Sequence, residues 1–139
     1  MRITVTPDLP ADGSGSVVVR VTNLSDTILR EPVLRWPTAL AKIVALAPFK
    51  PTRARIEGTF SPLYQEWTKW VVGPGESGEP AGTTSVAWGP LLPGTTLVIP
   101  LVATRYAAGP VSFDFQVLSY ESILTLESGE SAELRVELP

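Results

Sequence analysis

The chain of 139 residues contains neither cysteine nor histidine. Without thiols it forms no disulfide and no thiolate metal site, although this does not fix the compartment. Without imidazole it lacks the side chain whose ordinary titration falls between about pH 5 and 8. Acid–base chemistry would then fall to carboxylates, lysine or tyrosine. Long apolar runs are missing as well. No stretch approaches the ~20 residues of a membrane-spanning helix, so membrane insertion is not expected. Amide and soft side chains are scarce, with Asn23 the sole asparagine, two glutamines and one methionine, while arginine outnumbers lysine eight to three. Such a balance fits heat tolerance and equally a GC-rich genome.

What is present points to a globular chain. Hydrophobic residues make up 44% and charged residues 18%, which argues against disorder and fits one domain over residues 1–139. The net charge of −3 and pI near 4.9 give no reason to expect a nucleic-acid partner. The one basic cluster, Lys50, Arg53 and Arg55, is too small for phosphate tracking. Residues Met1 to Thr6 alternate apolar and polar, as a strand does and a signal peptide does not. An excised domain or a protein folded inside the cell is therefore expected.

Short β-type runs punctuated by Gly and Pro fill most of the chain. From Ser16 to Asn23, Val17, Val19 and Val21 fall on one face and Val18, Arg20 and Thr22 on the other. Asn23 to Asp26 supplies turn chemistry. Ile28 to Trp36 reads as a strand whose Pro32 belongs at an edge or bulge, because proline removes a ladder donor. Lys42 to Ala47 reads as a strand, with a helix over 38–47 as the alternative. Thr84 to Trp88 and Thr95 to Thr104 are further strands, Pro100 marking a bulge or edge in the second. Val111, Phe113, Phe115 and Val117 alternate with Ser112, Asp114 and Gln116, which predicts two Phe rings in the core. Ile123 to Leu126 and Ala132 to Leu138 form a hairpin around Ser128-Gly129-Glu130. Eight or nine such strands predict an all-β, immunoglobulin-like sandwich of two sheets.

Residues 48–85 differ in kind and read as an insertion, a loop or short helix. Ser61 suits an N-cap, Pro62 the first helical position and Gly73-Pro74 a stop. Leu63, Trp67, Trp70 and Val71 then share a helical face. A strand over Trp67–Val72 is the alternative. Gly73 to Gly82 reads as a mobile loop.

Three pieces carry a family resemblance: Ser16 to Asn23 followed by Ser25-Asp26, Ser85 to Thr96, and Leu97 to Phe113. Together they resemble the CARDB-type immunoglobulin-like repeats of bacterial and archaeal surface proteins. Val19, Val21, Thr22, Asn23 and Asp26 match the first strand and turn of that pattern. Trp88, Leu91 or Leu92, Pro93 and Gly94 match its later Trp-to-Pro-Gly segment. Ser25 stands where the pattern has Gly, and residues 48–85 lie outside it. The resemblance implies a fold and a presentation role, and carries no active site.

No catalytic, cofactor or metal set emerges from the residues. Glu57, Glu66 and Asp114 have no pairing spacing, and Asp8, Asp12 and Ser14 are too few oxygens for calcium. The expectation is a non-enzymatic interaction module. Its partner-binding residues are expected to be Tyr64, Trp67 and Trp70, with Arg53 and Arg55 as polar rim, since large rings anchor interfaces. A protein partner in a capsid or surface-layer type of assembly is expected, with homo-oligomerisation an option. The setting that combines a surface-type fold with the missing export signal is a bacteriophage virion, as capsid decoration or tail protein assembled in the host cytoplasm. An excised repeat of a secreted or cell-surface adhesion protein is the alternative, and a carbohydrate-binding module a second.

Overall fold

The computed structural model describes residues 1–37, 40, 43–48, 54–57, 70–72, 83–88, 90–122 and 127–139. Within them run ten strands: β1 (Arg2–Asp8), β2 (Gly15–Thr22), β3 (Glu31–Pro37), β4 (Val44–Pro48), β5 (Arg55–Glu57), β6 (Trp70–Val72), β7 (Thr83–Ala87), β8 (Thr96–Arg105), β9 (Val111–Ser122) and β10 (Glu127–Leu138). The described residues contain no helix. The first sheet has the order β1-β2-β8, with β4 and β5 sharing the far edge of β8. The second has the order β10-β9-β3-β7-β6. All pairings are antiparallel, and the two sheets enclose one core.

Alternation places that core. On β2, Val17, Val19 and Val21 are buried; on β8, Leu97, Ile99, Leu101 and Ala103 face them. The second sheet contributes Leu34, Trp36, Phe113, Phe115 and Val117. Phe115 sits between two rings, with centroids 6.0 Å from Trp36 and 4.9 Å from Phe113, both edge-to-face. That geometry sets the positive ring edge against a negative face. Trp88 is buried as well.

Two polar joints fasten the ends. At one end Asn23, fully buried, donates from Nδ2 to the carbonyls of Thr27 (2.8 Å) and Leu91 (2.9 Å). Its Oδ1 accepts from the Ser25 amide (3.0 Å) and hydroxyl (2.7 Å). Its backbone donates to Thr95 and accepts from Gly94, whose φ of 74° suits a residue without Cβ. The two family-like motifs are thus one physical joint. At the other end, the Arg105 Nε–H is shared between the carbonyls of Pro10 (3.1 Å) and Gly13 (3.0 Å). Its Nη1 donates to Ala107 and Gly109 and its Nη2 to Pro139. One guanidinium so holds the 9–14 loop, the 106–110 turn and the last residue. Gly15 is needed beside this loop, because a Cβ there would lie 2.0 Å from the Asp8 carbonyl oxygen.

Several expectations need correction. Trp70–Val72 is a strand paired with β7, so a helix through residue 72 is excluded; residues 58–69 and 73–82 lie outside the described residues. The span 48–85 is more than an insertion, since β5, β6 and β7 all join the sheets. β5 and β6 are three residues each, too short to show a period. Pro32 lies on an interior strand. Its carbonyl accepts from Trp88, so its missing N–H also faces β7, one position past the end of their ladder at Val33 and Ala87. The proline costs the ladder only the reciprocal bond of its terminal pair with Trp88. Ser128 to Glu130 belongs to β10 and sits at a register shift, so the hairpin is not centred there; the expected strand Ile123 to Leu126 lies outside the described residues. Pro100 fits its expectation. Asn23 directs its backbone at β8, so the even residues of β2 point away from it, and the Val18–Pro100 pair carries no ladder bonds. The proline nitrogen therefore faces the gap between β5, which ends at Val98, and β4, which starts at Leu101.

Candidate functional site

Of the residues expected to bind a partner, Arg55 and Trp70 fall within the described strands. Arg55 is exposed on β5 of the first sheet, whereas Trp70 is on β6, the edge of the second. Arg53, Tyr64 and Trp67 lie outside the described residues. Two outward faces have more to offer.

The first is the outer face of the first sheet. Register places Thr4, Arg20, Val98 and Arg55 in one row across the strands, then Thr6, Val18 and Pro100, then Asp8, Ser16, Val102 and Ala47. Ala45 lies beside Thr104 in the next row. Val18, Val98, Pro100, Val102, Ala45 and Ala47 form one apolar field, in which Ala47 is exposed and Val18, Pro100, Val102 and Ala45 are half-buried. Arg20 and Arg55 flank Val98, which is buried, and Arg20 pairs with Glu57 at 3.5 Å. Asp8, Ser16 and Thr104 complete a polar border. The outer face of a two-sheet sandwich is ordinarily polar. Here β8 is apolar on both faces. That signal stood in the run Leu97 to Ala103, and the reading of it as a plain strand missed the consequence.

The second is the outer face of the other sheet, which is charged. Asp114 pairs with Arg135 at 3.4 Å, and Gln116 Nε2 donates to Glu133 Oε1 at 2.8 Å. Arg35 Nε donates to the buried Ser85 hydroxyl at 3.5 Å. Pro37 has no amide to give the next ladder bond, towards Asp114, and the β3–β9 pairing stops at Arg35 and Gln116. Beyond that point lies a shallow hollow of about 320 Å³, edged by Arg35, Thr83, Asp114, Gln116, Glu133 and Arg135, with Trp36 and Phe113 beneath. Further along this face Val33 and Leu118 pack on each other. Among the described residues no group of three or more Asp or Glu side chains is placed to hold a metal ion.

No family model and no curated protein matches this chain. One solved structure, described as "AvmM Catalyzes Macrocyclization in Alchivemycin A Biosynthesis", is similar over 99% of this chain and 87% of that one, at 9% identity and a TM-score of 0.46. Likeness of that degree carries no argument about activity.

Proposed function

We propose that this chain is a non-enzymatic interaction module that docks a protein partner through the outer face of its first sheet. The observation that carries this is the apolar field Val18, Val98, Pro100, Val102, Ala45 and Ala47 inside a border of Arg20, Arg55, Glu57, Asp8 and Thr104. A water-excluding centre with a polar rim is the anatomy of a protein contact. The side chains are short and the face is a sheet, so the fitting partner presents a flat apolar surface, packed as sheets pack on one another about 10 Å apart. Arg55, expected from sequence to serve as rim, keeps that role on this face. The setting we propose is a virion surface, with a cell-surface array as the alternative.

Val102→Asp and Ala47→Asp test the reading, with Thr6→Asp on the same face but outside the field as control. The purified variants are co-sedimented with phage particles, and separately with cell envelopes, from the organism that makes the protein. Loss of co-sedimentation in Val102→Asp and Ala47→Asp, at an unchanged melting temperature and with Thr6→Asp still bound, is the expected result. Binding by Val102→Asp equal to that of the parent chain sinks the proposal. Which of the two fractions binds distinguishes the settings.

A further inference from the structure

We infer that the hollow on the second sheet binds a neutral, polyhydroxylated ligand, a single sugar ring displayed by a glycan. The site lies on the opposite sheet from the proposed docking face and stands or falls separately. Its charge balance selects the ligand. Among the described lining residues, Arg35 and Arg135 contribute two positive charges, and Asp114 and Glu133 two negative ones. A phosphate or carboxylate seated there meets two carboxylates, and an ammonium group meets two guanidinium groups. Either ligand is opposed by like charge.

A hydroxyl group meets no such conflict, because it donates one hydrogen bond and accepts others. It can donate to Asp114 or Glu133 while accepting from Arg135, Arg35 or Gln116. The donors and acceptors already stand in neighbouring pairs, Asp114 with Arg135 at 3.4 Å and Glu133 with Gln116 at 2.8 Å. Two adjacent hydroxyls of a sugar ring need that alternation. These pairs are open to water, so exchanging them for ligand hydroxyls loses little. Trp36 and Phe113 lie beneath the hollow with their rings turned into the core, so the ligand is held through its hydroxyl groups.

Size points the same way. About 320 Å³ is near the lower limit of small-molecule sites, roughly 300–1,000 Å³, which suits one ring and not a buried chain. The hollow opens on a sheet face, so the ring arrives attached to something larger and the affinity for a free monosaccharide is weak, roughly millimolar.

The test is an NMR titration of the whole chain, following backbone amides, with the methyl glycosides of glucose, galactose, mannose and N-acetylglucosamine. Inorganic phosphate and methylammonium serve as charged probes. At least one glycoside is expected to shift the amides of Ser112, Asp114, Gln116 and Glu133, with neither charged probe doing so. Asp114→Asn and Glu133→Gln are each expected to weaken that glycoside about 10-fold, the effect of one lost charge-assisted hydrogen bond, with the melting temperature unchanged. The inference is overturned if no glycoside shifts these amides up to about 50 mM, some fifty-fold above a Kd of about 1 mM. It is equally overturned if phosphate or methylammonium shifts them more strongly, or if both variants bind the glycoside as the parent does.

Discussion

Replacing Asn23 by aspartate changes one atom at a joint where both ends of the hydrogen-bond account are known. The side chain keeps its size and its Oδ1 acceptor for Ser25. It loses the NH2 that donates to Leu91 and Thr27. The Leu91 bond is buried, but that carbonyl keeps the Leu29 amide as a donor (3.0 Å), so the loss costs about 1–2 kcal/mol. The Thr27 bond is partly open to water, so its loss costs about 1 kcal/mol. Together Asn23→Asp should lose about 2–3 kcal/mol, a large part of the roughly 5–15 kcal/mol typical of a domain. The loss should also depend on pH. Burial and two facing carbonyl oxygens disfavour the charged carboxylate, so its pKa in the folded state rises above the unfolded value of ~3.9. A group raised in this way contributes fully below the unfolded value and loses its contribution as pH climbs through the folded one. Protonated, the new acid can donate to one of the two carbonyls, so the deficit should be smallest in acid and grow toward neutrality. Urea unfolding of the parent chain, Asn23→Asp and Asn23→Ala across pH 3–8 measures this, with the m-value checking that the unfolded state is unchanged. Asn23→Ala should be destabilised at every pH alike. An Asn23→Asp protein within about 0.5 kcal/mol of the parent at neutral pH, below the ~1 kcal/mol of a single net hydrogen bond, refutes the joint. So does a deficit that shrinks as pH rises.

Two further outcomes follow from the core and the second joint. Phe113→Ala and Phe115→Ala should each lose about 3–5 kcal/mol in the same assay, and Asp114→Ala less than about 1 kcal/mol, since its ion pair is exposed. Arg105→Ala should lose about 1.5–3 kcal/mol, with lysine restoring less than half, because an ammonium cannot reproduce the planar fork that reaches three chain segments; thermal melts of the three proteins check this order.

The legible parts of the fold were those with a long period or a distinctive turn. Eight residues of alternation around Val17, Val19 and Val21, and seven around Phe113 and Phe115, are enough to assign faces, and the structure has them as read. Asn23 was readable as a turn residue; that it also reaches Leu91, 68 positions away, was not, because no local pattern encodes a distant carbonyl. Arg105 went unnoticed for the same reason. Its partners are backbone carbonyls, which every sequence has everywhere. Pro32 misled because proline reports only a missing donor, and a missing donor costs only one terminal bond where the ladder is ending. As for the candidate faces, the apolar field is assembled from β2, β4 and β8, and only register brings Val18, Pro100 and Ala47 together. Aromatic content led the sequence reading to Tyr64, Trp67 and Trp70, of which Tyr64 and Trp67 lie outside the described residues; the apolar field contains no ring.

The pairing of β2 with β8 sets a timetable for synthesis. Thr22 meets Thr96, hydroxyl to hydroxyl at 2.8 Å, across 74 positions of chain. A ribosome adding about 5–20 residues per second makes that interval in about 4–15 s. A hairpin of β1 and β2 can close on itself within microseconds, and then waits with Val17, Val19 and Val21 uncovered and the far side of β2 unpaired. For those seconds it resembles an edge strand seeking any partner, and crowding of nascent chains would favour mispairing. The yield of native protein should therefore depend on how quickly residues 23–96 are translated, although nothing in the finished sandwich records the delay.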